Sequence, residues 1–231
     1  MWRFAVARTF LRALSASIII TVFEIERERL ETHFGNFAYW ALFLLLAAIS
    51  LGADTVGDFL LENLRWLRLL VLADEDIEGA WLDFAVEKAT GNIVNYAWVT
   101  ITYRQGHFRF DGIAWYVPDN RLLRWEARQT AYSEGVLYYR YTIAPPGWFS
   151  RTEHGAGAVE FKRSSGRRRF DQYAGEFIDE YSRGCMDFGL RAPRELELRA
   201  LSDESKLALV REFADRQLPV VRVSLGLGTM R

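Results

Sequence analysis

From Phe37 to Ala53 the chain reads FAYWALFLLLAAISLGA, a stretch with no charged residue. As a helix it would extend for roughly 26 Å, close to the hydrocarbon thickness of a bilayer. It is predicted to span a membrane, with Tyr39 and Trp40 at one interface and Asp54 and Asp58 beyond the other. Phe4 to Phe23 is long enough for a second span but carries Arg8 and Arg12, each costing about 2.5–3.5 kcal/mol at a bilayer centre. Both arginines are expected to snorkel toward the head groups, leaving Ala13 to Phe23 in the apolar layer. A cleavable signal peptide is disfavoured, because the apolar run passes straight into FEIERERLE with no small-x-small site. Arg3, Arg8 and Arg12 beside the first span, and Arg65 and Arg68 after the second, flank an acid-weighted loop. Both termini are therefore expected on the cytoplasmic side of the inner membrane.

The expected organisation is a two-helix membrane region at 1–57, a juxtamembrane linker helix at 58–75 and a soluble domain at 76–231. After ADEDIEG the hydrophobic period changes from helical to two, clearest in IVNYAWVTITYR, where alternate residues fall on opposite faces of a strand. GAWLDFAV, HFRFDGIAWYV, LLRWEARQTAY, VLYYRYTIA, AGAVEFKR, RRFDQYAGEF and CMDFGL continue the pattern between turn-forming groups such as RQG, PDN, SEG and SSG. About eight short strands without intervening helices predict an antiparallel up-and-down β-barrel, since closure removes the exposed edges. The fold class read from the sequence is thus membrane α plus all-β. Two transmembrane helices precede a lipocalin-like barrel with a C-terminal helix at about Asp203–Leu218, capped by Ser202 and expected to pack across one barrel end. Phe108, Phe110, Gly112 and Ala114; Leu123, Trp125 and Ala127; Leu137, Tyr139 and Tyr141; and Tyr173, Gly175 and Phe177 share faces assigned to the interior.

A formal net charge of −1 excludes a broadly cationic, nucleic-acid-coating surface, so neither DNA nor RNA is an expected partner. The single Cys185 cannot form an intrachain disulfide and reads as a packed thiol. His33, His107 and His154 lie far apart with no metal-ligand spacing. No nucleophile elbow, phosphate loop or acid pair announces catalysis, and GAG at 155–157 and GLG at 226–228 read as short turn or tail sequences. Neither a catalytic residue, a metal nor a cofactor is expected. Arg167 to Arg169 read as a hairpin tip, either solvated or in contact with an anionic lipid or phosphate. Arg124 beside Trp125 and Arg140 between Tyr139 and Tyr141 are more suggestive, because aromatic faces stack bases while guanidinium groups grip phosphates. Alternation nevertheless sends Arg124 and Trp125 to opposite faces, so they could share a ligand only at a rim.

The order of these features, two spans followed by GAWLDF, WVTITY, FRFDGIAW, LYYRY and YAGEFIDE, resembles the two-transmembrane β-barrel effectors of bacterial cyclic-oligonucleotide antiphage signalling (CBASS). The resemblance covers nearly the whole chain through loose patterns of aromatics and glycines. It implies a barrel that binds a cyclic dinucleotide made by a partner nucleotidyltransferase (a CD-NTase), then homo-oligomerises and disrupts membrane lipids, killing the infected cell. On that likeness Tyr103, Trp125, Tyr139 and Tyr141 are candidate stacking residues, and Arg124 and Arg140 candidate phosphate ligands. A membrane-tethered carrier or sensor of an apolar molecule would instead show a cavity of Leu, Val and Phe with no converging arginine. A ligand-free scaffold would show no useful cavity.

Overall fold

Two units divide the chain, Met1–Ala73 and Asp74–Arg231. The computed structural model describes residues 76–104, 107–117, 121–144, 153–166, 169–179, 184–197 and 199–227, with scattered positions between 9 and 64. In the first unit the described positions are mainly helical. Thr21 Oγ1 donates to the Ser17 carbonyl and Asn63 Nδ2 to the Phe59 carbonyl, both across four residues at 2.8 Å. Phe10, Ile18, Leu44 and Phe59 are all more than half exposed. The expected spans at Phe4–Phe23 and Phe37–Ala53 and the linker at 58–75 lie largely outside the described residues. Among those described, no helix is long and apolar enough to cross a membrane.

The second unit is a closed antiparallel barrel of eight strands in sequence order. They are β1 (Gly79–Glu87), β2 (Ile93–Arg104), β3 (His107–Tyr116), β4 (Arg121–Ser133), β5 (Val136–Ala144), β6 (Glu153–Lys162), β7 (Gln172–Asp179) and β8 (Cys185–Arg191). Helices follow: the short α1 (Arg194–Glu197) and then the long α2 (Asp203–Ser224). Strand β8 returns to pair with β1, so no edge is left open. Between β4 and β5 the turn is two residues long, with Glu134 at φ 53° and Gly135 at φ 83°. This mirror-image turn matches the right-handed twist of its flanking strands.

Strand β1 is buried on both faces, which alternation alone would not require. Trp81 and Asp83 point inward, while Ala80, Leu82, Phe84 and Val86 join Trp98 and Trp115 in an apolar patch on the outer wall. Helix α2 covers that patch with Val210, Phe213, Ala214 and Val221, spaced to line one helical face. The expectation that this helix packs across a barrel end is therefore corrected: it lies along the outer wall of β1–β3. Ser202 Oγ accepts from Ser205 N at 3.2 Å, as its cap position requires. The helix also runs past Leu218 to Ser224, through Pro219.

Inside, one end of the barrel is filled. Trp81, Phe161, Tyr173, Phe108, Tyr103 and Tyr132 meet edge to face or tilted, with centroids 5.2–6.3 Å apart, a geometry suited to the ring quadrupole. Asp76, Ile77 and Glu78 pass beneath them, all buried. Arg191 pins the segment: its guanidinium donates to the carbonyls of Asp76 and Phe170 at 3.0 and 3.2 Å and to that of Glu78. It also lies 5.6 Å from the Trp81 ring centre and 3.4 Å from the Asp76 carboxylate.

Candidate ligand-binding site

Above this plug the barrel holds a cavity of about 250 Å³. Its outer lining, Val94, Asn95, Tyr116 and Arg121, is partly or fully exposed, so it opens where β1 passes to β2 and β3 to β4. One wall is aromatic and comes from β3–β5: Phe110, Trp125, Tyr139 and Tyr141. Trp125 lies 5.0 Å from Phe110, 6.4 Å from Tyr139 in a stacked arrangement and 5.8 Å from Tyr141.

Glycines shape the cavity walls. Gly112 pairs across the ladder with Trp125, Gly157 with Tyr139, Gly155 with Tyr141 and Gly189 with Tyr173. A Cβ at any of the four would sit 2.2–2.6 Å from the paired ring. Each aromatic therefore lies flat over a bare stretch of the neighbouring strand. The turn-or-tail reading of GAG at 155–157 is corrected accordingly, since both glycines fall within β6.

The opposite wall, from β1, β7 and β8, is acidic. Asp83, Asp187 and Asp179 line the cavity from its inner part toward its mouth. Each accepts a phenol hydroxyl: Tyr173 donates to Asp83 at 2.7 Å, Tyr139 to Asp187 at 2.9 Å and Tyr141 to Asp179 at 3.2 Å. Burial pushes the Asp187 carboxyl up to about 7, opposed by the Tyr139 hydrogen bond and reinforced by Asp179. Asp83 is raised by burial and then by the charge of Asp187. Tyr139 and Tyr173 are raised too, by burial first and nearby carboxylates second. Two buried carboxyls on one wall favour retaining a proton, because ionising both side by side is costly.

Of the residues singled out from the sequence, Trp125, Tyr139 and Tyr141 are brought together on the aromatic wall. Tyr103 is buried in the plug, 5.4 Å from Phe108, and does not line the cavity. Arg124 stands on the outer wall, 3.7 Å from Asp203 at the start of α2, and Arg140 is exposed on the outside of β5. The structure does not bring either arginine to the aromatics. Among the described residues Arg121 is the cation that does line the cavity, at its mouth, 5.9 Å from the Tyr116 ring. The aspartates escaped the sequence reading, although their in-phase positions in Trp81–x–Asp83, Cys185–x–Asp187 and Phe177–x–Asp179 were a usable signal. No protein-family model matches the sequence, and no curated protein matches it.

Among the described residues no cluster of three or more His, Cys, Asp or Glu could hold a metal ion. Cys185 is buried. The arrangement can stack a flat ring on Trp125 and the tyrosines while offering hydrogen-bond acceptors along the other wall.

Proposed function

We propose that the barrel is the receptor module of a membrane-associated effector, and that its ligand is a cyclic dinucleotide entering base first. The observation that carries this reading is the open cavity walled by Trp125, Tyr139 and Tyr141. Its volume of about 250 Å³ falls just below the roughly 300–1,000 Å³ of sites that engulf drug-sized ligands. It suits one base-sized ring better than a whole cyclic dinucleotide. Electrostatics sets the orientation: a phosphate 4 Å from a carboxylate is repelled by about 4 kcal/mol at an effective dielectric constant of 20. The phosphates accordingly stay at the mouth, where Arg121 lies, while a base occupies the interior. The apolar stretch at Phe37–Ala53 and the exposed Phe10, Ile18 and Leu44 on helical positions support membrane association. Assembly and bilayer disruption follow if the ligand binds the assembled state more tightly than the resting one.

A membrane-tethered carrier of apolar molecules is the second reading, favoured by Val99, Phe110, Leu123 and Ile143 in the lining. The buried carboxylates count against it, since a purely apolar ligand would leave them in contact with hydrocarbon. Calorimetric titration of the full-length protein in detergent with cyclic dinucleotides, and separately with fatty acids, tests the two. Saturable binding of a cyclic dinucleotide, with ligand-dependent dye leakage from proteoliposomes, is the expected result. Fatty-acid binding without a nucleotide response would overturn the receptor reading.

A further inference from the structure

We infer that the inner part of the cavity is a recognition site for an amino group carried on a flat ring, with Asp83 and Asp187 as the residues that select it. The inference deepens the receptor reading and rests on it for the identity of the natural ligand, but its chemistry can be tested independently.

Both aspartates are more than nine-tenths buried, at 4% and 8% exposure, and both line the cavity. They lie on adjacent strands: Asp187 pairs with Ala85, two positions along β1 from Asp83, so the carboxyls are diagonal neighbours on one face. Each receives one phenol hydrogen bond on Oδ2, whereas an ionised carboxylate has about four acceptor sites. The remaining acceptor capacity is directed at a cavity whose facing wall is Phe110, Trp125 and Tyr139. Among the described residues no arginine or lysine lines that inner part, and the cation in the lining is Arg121 at the mouth. A ligand that reaches an ionised acid there supplies the donor itself.

An exocyclic amino group does so with two N–H bonds, enough for both acids where a single ring N–H serves one, and a ring carrying it is stacked by the aromatic wall at the same time. A positively charged amine adds attraction from the ring faces and the carboxylates together. A ligand carboxylate, phosphate or keto oxygen in the same place meets acceptors at every carboxyl oxygen except one that keeps its proton, so a retained O–H is the single kind of donor the acids offer it. Sites built around a buried hydrogen bond discriminate strongly against ligands that cannot complete it. The shared chemistry is the amino donor, and it can come from an amino-bearing base of a cyclic dinucleotide or from a small aromatic amine.

The test is calorimetry on the full-length protein in detergent with two matched pairs. Cyclic di-AMP against cyclic di-UMP compares an amino-bearing with a keto-bearing base. Tryptamine against indole-3-acetate compares opposite groups on one ring. The expected result is that cyclic di-AMP and tryptamine each bind at least about tenfold more tightly than their counterparts, and that Asp187→Asn narrows both ratios. Tryptamine binding with no response to either dinucleotide leaves the amino site standing and overturns the cyclic-dinucleotide reading. Dinucleotide binding with no preference for the amino-bearing base overturns the inference and spares the receptor. Indole-3-acetate matching tryptamine also overturns it, and silence from all four probes overturns both. Should Asp187→Asn not fold, the two ratios in the unaltered protein decide.

Discussion

At position 187 a carboxyl sits inside the barrel with its proton-bound form favoured by burial, the ordinary value being near 3.9 and the folded value about 7. Its contribution to stability is fully present below about pH 4, where both folded and unfolded chains are protonated. Between about pH 4 and 7 the unfolded chain has released its proton while the barrel retains it, so stability falls as pH rises and levels off above. Asp187→Asn is expected to reduce this slope, leaving the part due to Asp83, in urea-unfolding midpoints measured across that window. An unchanged slope would mean that Asp187 ionises normally. Glycines give a second prediction at the same scale. An alanine Cβ at Gly175 would lie 2.0 Å from the Ala158 carbonyl oxygen and 2.6 Å from Val159 Cα, both backbone. At Gly112 it would meet the Trp125 ring at 2.6 Å, which can swing into the cavity. Gly175→Ala should cost about 3 kcal/mol or more and Gly112→Ala about 1 kcal/mol in chemical denaturation, with Gly112→Ala losing ligand space instead.

Among the elements, α2 shows where patterning was sufficient and where it stopped. Strands β2 and β5 are legible to the residue as IVNYAWVTITYR and VLYYRYTIA, because period-two alternation survives wherever one face meets a core. The helix was legible by its Ser202 cap, but its resting place was not. The overlooked signal was the outward phase of Phe84, Trp98 and Trp115, side chains too large and apolar to face water as a group. Pro219 lacks the N–H for a helical bond and normally marks a stop, yet the helix continues past it to Ser224. Here Val221 and Leu225 pack against the outer cluster beyond it and hold the last turn. Phe213 meets Phe84 edge to face at 5.4 Å in that cluster. Phe213→Ala is therefore expected to cost about 3–5 kcal/mol in denaturant unfolding. Arg124→Ala, which removes a solvent-exposed pairing with Asp203 at 3.7 Å, should change stability by less than about 1 kcal/mol. Equal effects would show that α2 is held by charge rather than by burial.

Across the whole molecule, the barrel is a cup with a plugged end and a receptive end. The plug depends on Arg191, which reaches three carbonyls, the Asp76 carboxylate and the Trp81 ring. None of this was legible in sequence, because contacts between Arg191 and Asp76 cross more than a hundred residues. The aromatic half of the candidate site was legible from alternation. Its acidic half was not, since a lone aspartate within a strand is hard to tell from a solvated one until barrel closure fixes its phase. The same closure separates Arg124 from Trp125, neighbours in sequence on opposite sides of a wall. That separation gives the most direct test of where the ligand binds: cyclic-dinucleotide affinity of full-length Trp125→Ala against Arg124→Ala, measured by titration calorimetry. Base–aromatic stacking contributes about 1–3 kcal/mol by alanine substitution, so Trp125→Ala is expected to weaken binding at least about fivefold, with Arg124→Ala within about twofold of the unaltered protein. Loss of binding in Arg124→Ala with affinity retained in Trp125→Ala would place the ligand on the outer wall and contradict the account.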